Sequence, residues 1–211
     1  MLDTLGGDGE TAIPLIRQAQ SRCRELTVIV PDQAKSAGTL LALGAHHIYM
    51  GPASDLGPID PQLMLPDNSI VAARAIIDAV EEAERRIQQN PATYPLHVSL
   101  LESVTALTVQ QARDEIDRTD DLLRTALACP STRSDEEIDD LVQQLRGPLI
   151  ETKSHGAVIS ATDASSFGMP VEQADFSSTR WQAVWRLWTK YAVLNATRVY
   201  EGQTASHITY T

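Results

Sequence analysis

Lysine is nearly absent from this chain: Lys35, Lys153 and Lys190 are the only three in 211 residues. Asp and Glu number 28 against 17 Lys and Arg, giving a formal net charge of −11. That balance argues against a nucleic-acid partner, because binding a phosphate backbone draws on clustered cations. Cysteine is scarce too. Cys23 and Cys129 have no metal-type spacing, so neither a disulfide scaffold nor a zinc site is expected, and a reduced cytoplasmic compartment is the default. No apolar run approaches the length that crosses a bilayer, and no charged n-region with an apolar h-region opens the sequence. A membrane span is therefore not expected. Nucleotide fingerprints are missing as well. There is neither a GxGxxG nor a Walker Lys-Ser/Thr, and no cofactor is expected.

What is present suits a single soluble α/β domain. Hydrophobic residues make up 43% and charged residues 21%, enough to bury a sizeable core. "LTVIV" (26–30) is a short continuous apolar, β-branched run, the mark of a buried parallel strand. Residues 36–45 read as a short buried helix and "HIYM" (47–50) as the next strand. Strand, helix, strand at this pitch implies right-handed crossovers. "GPASDLGPIDPQLMLPD" (51–67) reads as an ordered loop. A helical insertion is expected over about 68–146, beginning with an amphipathic helix over 68–89 and a second over 108–128. Its third helix is signalled by a capping box, Ser134 with Glu137, and by Gly147 as a stop. "AVIS" (157–160) suggests a strand, and Ser160 with Asp163 another capped helix start. A C-terminal amphipathic helix over about 178–200 carries Trp181, Trp185 and Trp188 on one stripe, suited to core packing or subunit contact.

Two short stretches carry candidate chemistry. "TLGGDGE" matches no phosphate-binding spacing, but adjacent glycines can adopt positive φ and offer a backbone N–H to a ligand. In "PDQAKSAGTLLALGAHH", Ser36 stands between a strand and a helix start, where N–H groups lack intrahelical partners. Ser36 there is either a helix N-cap or a nucleophile beside an oxyanion hole. Local reasoning does not separate the two. His46, His47, His97 and His207 show no ligand spacing, so no metal site is expected.

"TLGGDGETAIPLI" and "PDQAKSAGTLLALGAHHIYMGPASDLGPIDPQL" together resemble the ClpP/crotonase superfamily. More closely they resemble its serine dehydrogenase proteinase group, which is related to signal peptide peptidase A. "SHGAVISATDASSFGMPV" is similar to that group's His-containing segment. The resemblance covers roughly residues 3–64 and 147–173. It implies stacked β-β-α units with additional helices. The group's core begins with strands ahead of the Gly-Gly turn, whereas only "MLDTL" stands there, so the resemblance also implies a core lacking its first strands.

Carried onto this sequence, the resemblance makes Ser36 the nucleophile of a serine endopeptidase that works through an acyl-enzyme. The N–H groups of Ala37 and of Gly6 or Gly7 become its oxyanion hole. The proton acceptor is less plain. Where Clp proteases place a histidine, this chain has Asp60, a carboxylate better suited to orienting a histidine than to deprotonating serine. His155, Lys153 and Lys35 are the candidate bases, His155 foremost, with Asp60 as its orienting partner. Lys35 should point away from its neighbour Ser36. Relatives of this kind assemble, so a homo-oligomer acting on a peptide or protein substrate is implied. Two other readings keep the same fold: a crotonase-like acyl-thioester enzyme, and a non-catalytic assembly subunit.

Overall fold

The computed structural model describes residues 1–152 and 154–194, together with two further strands, Ala196–Glu201 and Ser206–Tyr210. The chain is mixed α/β. A helix α1 (Gly9–Gln20) leads to strand β1 (Thr27–Val30), then β2 (Gln33–Ala34), α2 (Ala37–Leu43), β3 (His47–Met50) and β4 (Asp55–Leu56). β1 and β3 pair in parallel, Val28 opposite Ile48 and Val30 opposite Met50. β8 (Val171–Gln173) joins β3 on its far side, also in parallel. A second small sheet continues this one, with β2 parallel to β4 and β4 antiparallel to β7 (Ile159–Ser160).

Residues 2–4 run along the free edge of this core. Leu2 N–H donates to Ile29 O (2.7 Å), Thr4 N–H to Gln33 O (3.0 Å), and Lys35 N–H to Thr4 O (3.0 Å). The residues immediately before the Gly-Gly turn are thus hydrogen-bonded along this edge.

Strand alternation explains why β1 and β3 are apolar beyond their first residues, Thr27 and His47. Val30, Ile48 and Met50 turn to the main core with α1 and α2, all at zero exposure. Tyr49 faces the other way, into a second cluster with Trp181 and, beside them, Ile29. The helix that covers this face is α8 (Thr179–Val193), whose Trp181 meets Tyr49 edge-on at 6.0 Å and sits against Gly51. Arg180 stacks over the Tyr49 ring at 3.9 Å.

Between the sheet halves lies a mostly helical region. A hairpin of β5 (Gln62–Met64) and β6 (Ile70–Ala72) opens it. α3 (Ala73–Gln89), α4 (Tyr94–Leu100), α5 (Ala106–Leu127) and α6 (Asp135–Leu149) follow, then α7 (Ala161–Ser166). Three expectations need correcting here. The 51–67 loop contains β4 and β5, because the backbone beyond Gly51 pairs with β2 and with β6. Gly147 does not stop α6, which continues through Pro148 to Leu149. Leu145, Leu149 and Ile150 are wholly buried, and about 2 kcal/mol per buried side chain outweighs the roughly 1 kcal/mol helix cost of a glycine. The C-terminal helix ends at Val193 rather than near 200, because residues 196–201 enter an antiparallel pair, β9 with β10 (Ser206–Tyr210).

The capping expectations hold. Ser134 and Glu137 form a reciprocal capping box at α6, and Ser160 and Asp163 form another at α7. α7 ends at Ser166, and Gly168, with a φ of +83°, takes the C′ position of the helix stop.

Candidate active site

The chain from β2 into α2 turns sharply at Ser36, whose φ is 49° and ψ −117°. A non-glycine residue in that region carries roughly 1–3 kcal/mol of backbone strain. The Ser36 side chain makes no capping hydrogen bond, so the helix-cap alternative does not describe it. Half-buried at a strained strand-to-helix elbow, Ser36 instead lines a cleft.

The elbow is packed against the Gly-rich turn. Gly6 has φ +111°, and a Cβ built on it would stand 2.9 Å from Ser36 Cβ and 3.0 Å from Lys35 O. Only glycine meets both requirements at once. Thr4 holds the turn in place, its Oγ1 accepting from Gly6 N–H at 3.1 Å. That bond commits the Gly6 N–H. Among the described residues Gly7 N–H has no acceptor, and Ala37, at the first position of α2, has none within its helix. Asp8 fixes where the turn gives way to α1, accepting from Glu10 N–H (3.2 Å) and from Thr11 Oγ1 (2.7 Å).

Asp60 and His155, 95 residues apart, meet at 2.9 Å between Oδ1 and Nδ1. The Asp60 side chain is 1% exposed and that of His155 42%. Asp60 Oδ2 is buried with no hydrogen-bond partner among the described residues. Burial pushes the Asp60 carboxyl above the usual carboxylate range, only partly opposed by the hydrogen bond and charge of His155. When ionised, Asp60 accepts from Nδ1–H and so fixes the imidazole tautomer, leaving Nε2 as the basic nitrogen.

A cleft of about 530 Å³ brings these pieces together. Gly7, Ser36, Ala37, Asp60 and His155 all line it. No hydrogen bond joins Ser36 to His155 among the described residues. Catalytic hydrogen bonds are often long in an enzyme without substrate. Lys35 is directed elsewhere, its Nζ 2.6 Å from Asp55 Oδ1. Lys153 lies outside the described residues. Of the histidines not expected to bind metal, His46 accepts from Leu26 N–H through Nδ1 (3.0 Å), while the side chain of His207 lies outside the described residues. Among the described residues no cluster of His, Cys, Asp and Glu could hold a metal ion.

Sequence reasoning missed the far wall of the cleft. Glu115, Arg118, Thr119 and Leu122 of α5 close it, and Arg118 is tied to Glu10 at the start of α1 by a 2.8 Å ion pair. Nothing in the α5 sequence marks it as a cleft wall, since its polar residues there follow the same period as any solvated helix face.

Comparison with known proteins adds the following. Residues 1–98 match the family model described as ClpP-like SDH-type serine proteinase. The mixed α/β architecture is consistent with that ClpP-like fold. An uncharacterized protein of Methanocaldococcus jannaschii, MJ0137, is 42% identical over 74 residues, 35% of this chain and 26% of that protein. The chain thus matches about a quarter of that relative's length. Among solved structures, a membrane-bound stomatin-specific protease in complex with a substrate peptide is similar at 17% identity, with a TM-score of 0.36, over 88% of this chain and 80% of its own. No helix of the described residues is long and apolar enough to cross a membrane.

Proposed function

We propose that this chain, whose first 98 residues match the ClpP-like SDH-type serine proteinases, hydrolyses peptide bonds through an acyl-enzyme at Ser36. The observation that carries this reading is the strained, uncapped conformation of Ser36, at φ 49° and ψ −117°, in a cleft shared with a hydrogen-bonded Asp60–His155 pair. Strain of this size persists only where surrounding structure enforces it, and it concentrates at functional sites.

The shared cleft supports the following roles. His155 Nε2 takes the Ser36 proton as Oγ attacks the peptide carbonyl, and returns it to the leaving amine. Asp60 orients the ring and stabilises the imidazolium. The carbonyl oxygen, now an oxyanion, is received by the N–H groups of Ala37 and Gly7. Water then hydrolyses the ester, with His155 again as base. Of the other readings the cleft favours neither. Asp8, Glu10 and Glu115 line it and its Arg118 is already paired, a poor setting for the phosphates of an acyl-thioester carrier.

The test is a fluorophosphonate probe followed by mass spectrometry of the labelled peptide. Labelling at Ser36 that disappears in Ser36→Ala is the expected result. A folded protein that takes no label, or takes it at another serine, would refute the assignment.

The exposed side of α8 supports self-association. Trp185, Leu187 and Val193 of α8, with Leu194 just past its end, are 39–85% exposed, and exposed apolar side chains gathered on one element suit an interface. We expect a homo-oligomer in sedimentation velocity, weakened by Leu187→Glu. A monomer at every concentration tested would reject it.

A further inference from the structure

Thr39 is wholly buried in the first turn of α2, and its hydroxyl bonds to two segments of the site at once. Oγ1 lies 2.8 Å from Ala34 O and 2.6 Å from Gly57 O, and accepts from Gly57 N–H at 3.2 Å. Its own N–H donates to Ser36 O at 2.8 Å. A hydroxyl has one proton, so the two carbonyls share it while Gly57 N–H fills a lone pair. Ala34 ends the strand that delivers Ser36. Gly57 begins the short stretch that ends at Asp60. The two segments approach so closely that a Cβ on Gly57 would stand 2.5 Å from Lys35 Cδ and 3.1 Å from Lys35 Cα.

We infer that Thr39 is a positioning residue: its hydroxyl sets the separation between the Ser36 elbow and the Asp60–His155 pair. This rests on the peptidase reading, because a fixed separation matters only if the two must exchange a proton. Thr39 touches no substrate atom and lies behind the cleft. Gly57 N–H also donates to Ala34 O at 3.1 Å. Without the hydroxyl, Ala34 O keeps that one donor while Gly57 O loses its buried donor, and the backbone pairing alone holds the two segments. The 57–60 stretch then moves relative to Ser36, and reacting groups displaced by about 1 Å lose rates of the order of a hundredfold.

The experiment compares Thr39→Val, which keeps shape and removes the hydroxyl, with Thr39→Ser, which keeps the hydroxyl. Two readouts are taken on protein shown by circular dichroism to be folded at the assay temperature. One is the rate of fluorophosphonate labelling at Ser36. The other is the midpoint of the His155 imidazole titration, followed by NMR. Thr39→Val is expected to slow labelling about tenfold to a hundredfold and to move the His155 midpoint, with Thr39→Ser near wild type in both. Should Thr39→Val not fold, Thr39→Ala takes its place in the same comparison. Wild-type rates and an unmoved midpoint in the folded hydroxyl-less variant overturn the inference, as does a Thr39→Ser variant impaired as much as Thr39→Val. Failure of the wild type to label sinks the peptidase reading instead, and the titration still decides whether Thr39 holds the Asp60–His155 pair in place.

Discussion

His155→Ala is expected to lower kcat/KM on a fluorogenic peptide by about 10⁴-fold, with KM little changed. In the proposed mechanism the imidazole acts on the proton of Ser36 only in the transition state, so its loss should appear in kcat. Asp60→Asn should fall nearly as far. An amide can donate to Nδ1 and stabilise the tautomer that carries hydrogen on Nε2, the nitrogen that must accept. Activity in His155→Ala within tenfold of wild type would remove His155 from the mechanism and turn attention to Lys153.

The same carboxylate should cost the fold stability. The folded pKa of Asp60 is raised above its ordinary value by burial. The folded state therefore binds its proton more tightly than the unfolded state does. Stability from this group is fully present below the ordinary carboxylate pKa, near 4, and is lost as pH rises through the folded value. Asp60→Asn should accordingly melt at a higher temperature than wild type near pH 7, and that gain should shrink as pH falls toward 4. A variant that is both inactive and more stable is the signature of a charge kept for chemistry. A variant equally inactive but less stable at neutral pH would point to a structural pairing.

The second large effect is expected at Gly6. Gly6→Ala places a methyl 2.9 Å from Ser36 Cβ and 3.0 Å from Lys35 O, at a φ of +111° that alanine disfavours. Neither neighbour is a flexible side-chain end, so backbone must shift. The backbone conformation alone costs about 1–3 kcal/mol. Because the shift falls between the elbow and Gly7 N–H, loss of oxyanion alignment should reduce kcat by about 10²–10³-fold. Thermal melting and steady-state kinetics on one preparation separate the two effects. Gly7→Ala is the comparison, since a Cβ there meets nothing within 4 Å. It should leave stability closer to wild type. Equal kinetics for Gly6→Ala and wild type would show that the turn does not hold the oxyanion donor.

Much of this molecule was legible because its signals are local. The boxes Ser134/Glu137 and Ser160/Asp163 act across three residues, and each forms as expected. The apolar runs at 26–30 and 47–50 announce strands buried on both faces, with Tyr49 on one side and Ile48 and Met50 on the other. The Gly-Gly turn and the Ser36 turn, in that order, pointed to the ClpP-like SDH-type group whose family model matches residues 1–98. Where local and distant forces compete, the local signal lost. Gly147 read as a helix end, yet the burial of Leu145 and Leu149 carries α6 past it.

The sequence by itself determined which residues could serve: a serine at a strand-to-helix junction, glycines free to take positive φ, and one histidine in a segment of the right kind. It left Ser36 divided between cap and nucleophile, because both uses place the same residue at the same junction. Only the tertiary structure sets the cap aside, by wedging Gly6 against Ser36 and holding its backbone at a φ and ψ that a capping serine does not adopt, and the nucleophile is the reading we propose. The pairing of Asp60 with His155 is of the same kind. Its 2.9 Å contact closes a loop of 95 residues, and no local propensity records such a closure. What brings the two together is the burial of the helices between them, a property of the packed core and not of either segment.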